Sequence, residues 1–234
     1  MNENQCATCG SRNKSVFCHL VDADLKQIDA KKVCNFYEKG QHLFVQDTPV
    51  NGVFCVSSGK IKLVQTDPNG KETILRIAKG GDVLGHRSML AHSNYRATAT
   101  ALEKVEVCFI DKKYFSEVIS SKPSVSLELL EKLSDSLGDS ERRLTAFTKE
   151  SVKERVAGFL LYLNRSFGKE DPTGRRYLDI KLTREEMASM VGTAPETMIR
   201  TLSQLKKDGM ISQEGKRMFI ENVDELLDLS GIGD

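Results

Sequence analysis

The sequence lacks any apolar run approaching the roughly 18–20 residues that a membrane-spanning helix needs. Its start, Met1-Asn2-Glu3-Asn4-Gln5-Cys6, is polar and does not resemble a secretory leader. It also lacks internal repeats and low-complexity tracts, so a soluble, cytoplasmic protein with no membrane partner is expected. Charge of one sign is not in excess: 34 Lys+Arg face 33 Asp+Glu. That balance excludes a uniformly basic coat but not a local one. From Lys149 to Arg217 there are 14 basic and 10 acidic residues, a local +4 that leaves −3 for the remainder. Enzyme signatures are missing as well. There is no P-loop and no Ser/His/Asp arrangement, and His19, His42, His86 and His92 show no HxxxH or HxH spacing. No enzyme is expected.

What is present indicates a packed protein of one large or two ordinary domains. The chain has 234 residues, 39% hydrophobic and 29% charged, enough apolar matter for a core. Val21–Lys32 reads as a short helix with Asp22 as N-cap. From about Val33 to Ile110, short apolar alternations are separated by Lys39-Gly40, Asn51-Gly52, Ser58-Gly59, Asn69-Gly70 and Gly80-Gly81. Turn signals at this spacing predict an antiparallel β-barrel or sandwich. Strands are expected at Val53–Val56, Lys60–Gln65, Glu72–Ile77 and Glu106–Ile110, with a hairpin at Asn69-Gly70.

Pro123 opens a long helix on which Leu130, Leu133, Leu137, Leu144 and Phe147 follow a heptad seam. That seam can pack on a partner helix or on the chain's own β-domain. The charged opposite face (Glu128, Glu131, Asp135, Asp139, Arg142) favours a homodimer. A second helix is expected over Ser151–Phe167, then a loop at Gly168–Gly174. The domains read as 1–122, a Cys-rich head and β-barrel; 123–150, the dimerisation helix; and 151–234, the C-terminal domain.

Leu182–Leu205 reads as a helix-turn-helix. Ala188 allows close helix crossing, Gly192 allows a turn with positive φ, Thr193 can cap the second helix, and Pro195 suits its first turn. Met198, Leu202 and Leu205 form the inner face. Glu196, Thr197, Ile199, Arg200 and Ser203 are left outward, where a recognition helix meets the major groove. Arg200 can pair with guanine and Glu196 with cytosine, or Glu196 can orient Arg200. The stretch Lys206–Ile220 reads as strand, turn and strand, a wing with Lys216 and Arg217 at its tip for phosphates. A plain helical hairpin with a surface Glu–Arg pair is the competing interpretation.

The six cysteines are Cys6, Cys9, Cys18, Cys34, Cys55 and Cys108, three of them within the first eighteen residues. In a cytosolic chain such clustering points to metal or redox chemistry before disulfides. Cys55 reads as core, Cys34 is open, and Cys108, between Val107 and Phe109, can be a small buried hydrophobe.

The order of β-barrel, long helix and winged helix-turn-helix, an α+β fold, resembles the cyclic-AMP receptor/fumarate-nitrate-reduction (CRP/FNR) family of bacterial transcription regulators. The stretches that carry this resemblance are Gly80-Gly81-Asp82-Val83-Leu84-Gly85, Ala101–Cys108 and Thr183–Gly209 with its core Pro195–Arg200. The resemblance implies a cyclic-nucleotide-binding-like jelly roll, a homodimer, a palindromic double-stranded DNA site and contact with RNA polymerase. It places an effector pocket at Gly85, His86, Arg87, Arg96 and Ala97. His86 stands where cyclic-nucleotide binders have Glu, so only the Arg96 half of a cyclic-AMP pocket is present. The oxygen-sensing branch implies Cys6, Cys9, Cys18 and Cys108 as ligands of a [4Fe–4S] cluster. A structural zinc on the same thiolates, or no metal, stays open. So do a metal-free ligand-sensing regulator and a cysteine-based redox or electron-transfer protein with a C-terminal interaction module.

Overall fold

A computed structural model describes residues 5–231; the polar start at 1–4 and the end at 232–234 lie outside it. The chain divides into two compact units, 1–137 and 138–234. The division falls inside the long helix, which both units share, whereas the sequence reading gave that helix its own segment, 123–150.

In the first unit, single turns of 3-10 helix at Cys6–Thr8 and Arg12–Lys14 lead to α1 (Asp22–Lys31). Asp22 is the first helical residue and Val21 the N-cap, without a side-chain capping bond. Asp22 and Asp24 instead sit in the first turn, where the helix dipole favours negative charge. The strands are β1 (Val33–Tyr37), β2 (His42–Phe44), β3 (Gly52–Ser58), β4 (Lys60–Thr66), β5 (Glu72–Lys79), β6 (Val83–Leu84), β7 (Thr98–Ala101) and β8 (Val105–Asp111), with α2 (His86–Leu90) between β6 and β7.

They form two four-stranded antiparallel sheets, ordered β1-β8-β3-β6 and β2-β7-β4-β5. The result is an open jelly-roll sandwich, not a closed barrel. Alternation sets the faces: Val105 and Val107 of β8 share one core with Ile61 of β4, while Ile110, three residues further along β8, faces the opposite core. The β4–β5 hairpin turns where expected, with the Asp67 carboxylate accepting from the Asn69 and Lys71 N–H groups. Phe44, Phe54, Val56, Leu84, Tyr95 and Val107 belong to one core cluster. A second core joins Val16, Phe17 and Leu20 of the head to α1, to Phe115 and Val118 of α3 (Lys112–Ser121), and to Val125 and Leu129 of α4 (Pro123–Lys149).

In the second unit, α5 (Val152–Phe167) starts with a capping box between Ser151 and Glu154 and buries Val156, Leu160 and Leu163. The expected loop at Gly168–Gly174 contains β9 (Gly168–Glu170), which turns back into β10 (Arg176–Leu178). The Asp171 carboxylate holds that turn by accepting from the Thr173 and Arg175 N–H groups. Then come α6 (Arg184–Val191), α7 (Pro195–Lys207), β11 (Ile211–Glu214), β12 (Arg217–Ile220) and α8 (Val223–Ser230), with the sheet ordered β11-β12-β10-β9.

Candidate functional site

Thr183 caps α6 in a capping box with Glu186, and Gly192 ends that helix at φ 69°. The turn leads into α7, whose N-cap is Ala194; Thr193 does not cap it as expected, while Pro195 holds the first-turn position. The Thr193 N–H instead donates to the Ala188 carbonyl, part of the α6 C-terminal turn. Met198 and Leu205 are fully buried and Leu202 nearly so, which fixes the rotation of α7. Glu196, Ile199, Arg200 and Ser203 are consequently exposed, with Thr197 half-buried. Arg200 donates to Thr197 Oγ1 at 3.4 Å rather than pairing with Glu196. Ser203 Oγ donates to the Ile199 carbonyl at 2.9 Å.

A groove of about 170 Å³ lies between α7 and the β11–β12 wing, lined by Ile199, Ser203, Lys206, Arg184, Gln213 and others. The sequence reading missed Arg184, Lys206 and Gln213 here. Arg184 reaches Gln213 Oε1 at 2.9 Å. Its place at the first position of α6 was readable from the capping box, but its approach to the wing was not. Lys216 and Arg217 are exposed at the wing, and Arg217 lies over the Tyr177 ring at 5.0 Å. Arg175 ties β10 to the wing: it donates to Ser212 Oγ at 3.1 Å, to the Glu221 carboxylate at 2.7 Å and to Glu214, and stacks on Phe219 at 4.1 Å. The bonds to Glu214 and Glu221 raise its pKa further.

The heptad seam separates into two environments. Leu130, Leu137 and Leu144 are 58–67% exposed, as is Leu127, which the sequence reading left out. Leu133 packs against the head and α3 core of its own chain, because it lies four residues after buried Leu129 on the same face. Phe147 is half exposed and lies against the helix-turn-helix turn: a Cβ on Gly192 would sit 2.2 Å from its ring. Arg155 stacks on that ring at 5.5 Å and donates to the Val191 carbonyl at 3.1 Å.

The two halves of the expected effector pocket lie close together: the Arg96 N–H donates to Ser88 Oγ of α2 at 3.3 Å, and a Cβ on Gly85 would meet the Tyr95 ring at 3.0 Å. Gly85 has φ 83° and N-caps α2; His86 is 7% exposed and its Nδ1 lacks a hydrogen-bond partner. Burial, with the nearby charges of Arg76, Arg87 and Lys132, lowers its pKa to about 4, partly opposed by a hydrogen bond with Val83. Arg87 and Arg96 are exposed and Ala97 buried. Tyr95, beside Arg96, turns inward, stacked on Phe44 at 4.0 Å and donating to the Gly52 carbonyl at 3.2 Å.

The cysteines regroup. Cys34 and Cys108 face each other on β1 and β8 and are joined by a disulfide. Cys55 on β3 is the neighbour of Cys108 on its other side. A cavity of about 50 Å³, room for a few water molecules, is lined by Cys6, Cys9, Cys55 and Cys108 together with Arg12 and Lys32. Burial pushes the Cys55 thiol up to about 12 and the Cys6 thiol to about 11, although Lys32 Nζ donates to Cys6 Sγ at 3.1 Å. Cys18 is not in this cavity. It lies with His19 and Glu128, and these are the only three His, Cys, Asp or Glu ligand atoms among the described residues that gather within 4.8 Å of one another. Of the set expected for a [4Fe–4S] cluster or a four-thiolate zinc, Cys6, Cys9 and Cys108 line one cavity, Cys18 lies apart with His19 and Glu128, and Cys108 is bonded to Cys34, so the four thiolates are not gathered as one ligand set in this structure. Among the described residues of the head, Cys6, Cys9 and Cys18 are free thiols. The half-buried edge-strand Cys34, undecided by sequence, takes the bond.

A jelly-roll sensor unit followed by a long helix and a winged helix-turn-helix defines a DNA-binding transcription regulator. The models for the cyclic nucleotide-binding domain and the Crp-like helix-turn-helix domain match residues 34–122 and 154–229. The chain belongs to the CRP/FNR family of transcription regulators, which are not enzymes. It is 29% identical to the probable transcriptional regulator flp of Lacticaseibacillus casei, over 92% of this chain and 95% of that protein. It is 26% identical to the fumarate and nitrate reduction regulatory protein of Escherichia coli K12, over 97% and 90%. Among solved structures, FixK2 from Bradyrhizobium japonicum has the same fold, with a TM-score of 0.76 at 22% identity, covering 85% of this chain and 96% of that one. No helix among the described residues is long and apolar enough to cross a membrane.

Proposed function

We propose that two copies of this chain pair along the exposed Leu127, Leu130, Leu137 and Leu144 stripe of α4 and read a palindromic DNA site, one half-site each. Glu196 and Arg200 meet base edges, and Ile199 packs on a thymine methyl. Thr193, Thr197, Ser203, Lys216 and Arg217 approach the backbone, joined by Arg184 and Lys206 from the groove. RNA polymerase is the further partner, and the cytoplasm the location.

The signal read by the sensor unit is its thiol redox state. The observation that carries this is the Cys34–Cys108 disulfide beside Cys55 at one wall of the cysteine-lined cavity. The relative named for fumarate and nitrate reduction supports a redox signal. Exchange with a low-molecular-weight disulfide balances the chemistry: two chain thiols become one disulfide, and two small thiols are released. β1 is an edge strand and Cys34 is half-buried, which leaves the bond within reach of a small dithiol.

The test is DNA affinity by fluorescence anisotropy on a selected site, for fully reduced and for disulfide-containing protein. Coupling between sensor and reader predicts affinities differing by about 5- to 150-fold. Cys34→Ser should hold one affinity whatever the oxidant. Equal affinity of the two wild-type states refutes the redox reading.

A further inference from the structure

We propose that Cys18, His19 and Glu128 form a binding site for a zinc-class divalent ion, pinning the N-terminal head to α4. The site is separate from the cysteine-lined cavity and stands whether or not the redox reading does.

The three ligand atoms lie within 4.8 Å of one another. His19 Nε2 is 3.0 Å from Glu128 Oε1, and Cys18 Sγ lies within 4.8 Å of the ligand atoms of both residues. A tetrahedral zinc with ordinary Zn–S, Zn–N and Zn–O bonds separates its ligand atoms by about 3.4–3.6 Å. The cluster is thus within a few tenths of an ångström of that spacing on its measured edge. Sulfur, imidazole nitrogen and carboxylate oxygen suit a borderline ion, with a water as the fourth ligand.

The backbone on both sides is fixed in advance. Cys18 and His19 sit between buried Phe17 and Leu20, and Glu128 directly precedes buried Leu129; all three apolar residues share one core cluster. One turn further along α4, Lys132 Nζ donates to the Lys14 carbonyl at 2.7 Å, a second tie between this helix and the head. The backbone carrying the ligand groups is ordered before an ion arrives, while the His19 side chain, 67% exposed, stays open to it. An ion there ties head and helix through bonds that a loss of metal would release.

The experiment is a titration of full-length, reduced, metal-free protein with Co²⁺ alone under anaerobic conditions, followed by displacement with Zn²⁺. One equivalent should bind with a thiolate-to-cobalt charge-transfer band and release protons. Cys18→Ser should remove the band. Glu128→Gln and His19→Gln, which keep the fold's apolar contacts, should weaken binding by at least about tenfold. A triple Cys6→Ser, Cys9→Ser, Cys55→Ser variant should keep the band. No thiolate band in the wild type, or a band that survives in Cys18→Ser and Glu128→Gln but disappears in the triple variant, overturns the proposal.

Discussion

His86 shows how burial converts one side chain into a pH response. Its imidazole is 7% exposed and neutral in the fold, with its pKa lowered to about 4 by burial, Arg76, Arg87 and Lys132. Unfolded, it titrates near 6.5. The unfolded chain therefore binds the proton first. The stability contributed by neutral His86 is complete above pH 6.5 and is lost as pH falls toward 4, by on the order of 3 kcal/mol. Chemical denaturation of wild type and His86→Gln at pH 7.5 and pH 4.5 should show the wild type losing more, by about that margin. Equal losses would mean that His86 is not buried in its neutral form. The residue scale also shows what sequence spacing missed about the cysteines. Cys6, Cys9 and Cys18 are neighbours in the chain, but the strand register, a long-range property, brings Cys55 and Cys34 to either side of Cys108.

At the scale of elements, the helix-turn-helix was the most legible part of the chain. Its buried faces follow the 3.6-residue period, and Gly192 and Pro195 mark its turn in local chemistry. The β9–β10 hairpin was hidden because Gly168–Gly174 is rich in turn formers and its short strands carry little apolar alternation. The helix α4 is legible from its heptads, but at 3.6 residues per turn Leu133 lies about 60° round from Leu130, and Phe147 about 60° round from Leu144. They turn inward, one into the head core and one onto Gly192. That last contact is testable. Gly192→Ala places a methyl group 2.2 Å from the Phe147 ring at φ 69°, whereas Gly209→Ala, at φ 78°, meets nothing within 4 Å. Both substitutions carry a left-handed backbone cost of about 1–2 kcal/mol. Gly192→Ala should destabilise the C-terminal unit measurably more in thermal unfolding. Equal losses would show that Phe147 does not lean on the turn.

For the whole molecule, near-zero net charge conceals a division of labour. The basic groups proposed to meet DNA are few and placed: Arg200 on the outer face of α7, Arg184 and Lys206 in the groove, Lys216 and Arg217 on the wing. In the proposed dimer, the exposed leucine stripe on α4 is the symmetric contact that a palindromic site calls for. Composition alone could not show this, because segregation of charge and of apolar surface appears only once the faces of α4 and α7 are fixed by packing. In the proposed complex, Arg200 reads a base in each half-site. That role is tested by measuring the affinity of wild type and Arg200→Ala for a selected palindromic site and for its single-base variants, at several salt concentrations. Arg200→Ala should bind about 1–3 kcal/mol more weakly and lose discrimination at one base pair, symmetrically in the two half-sites. An unchanged pattern of base preference would contradict it.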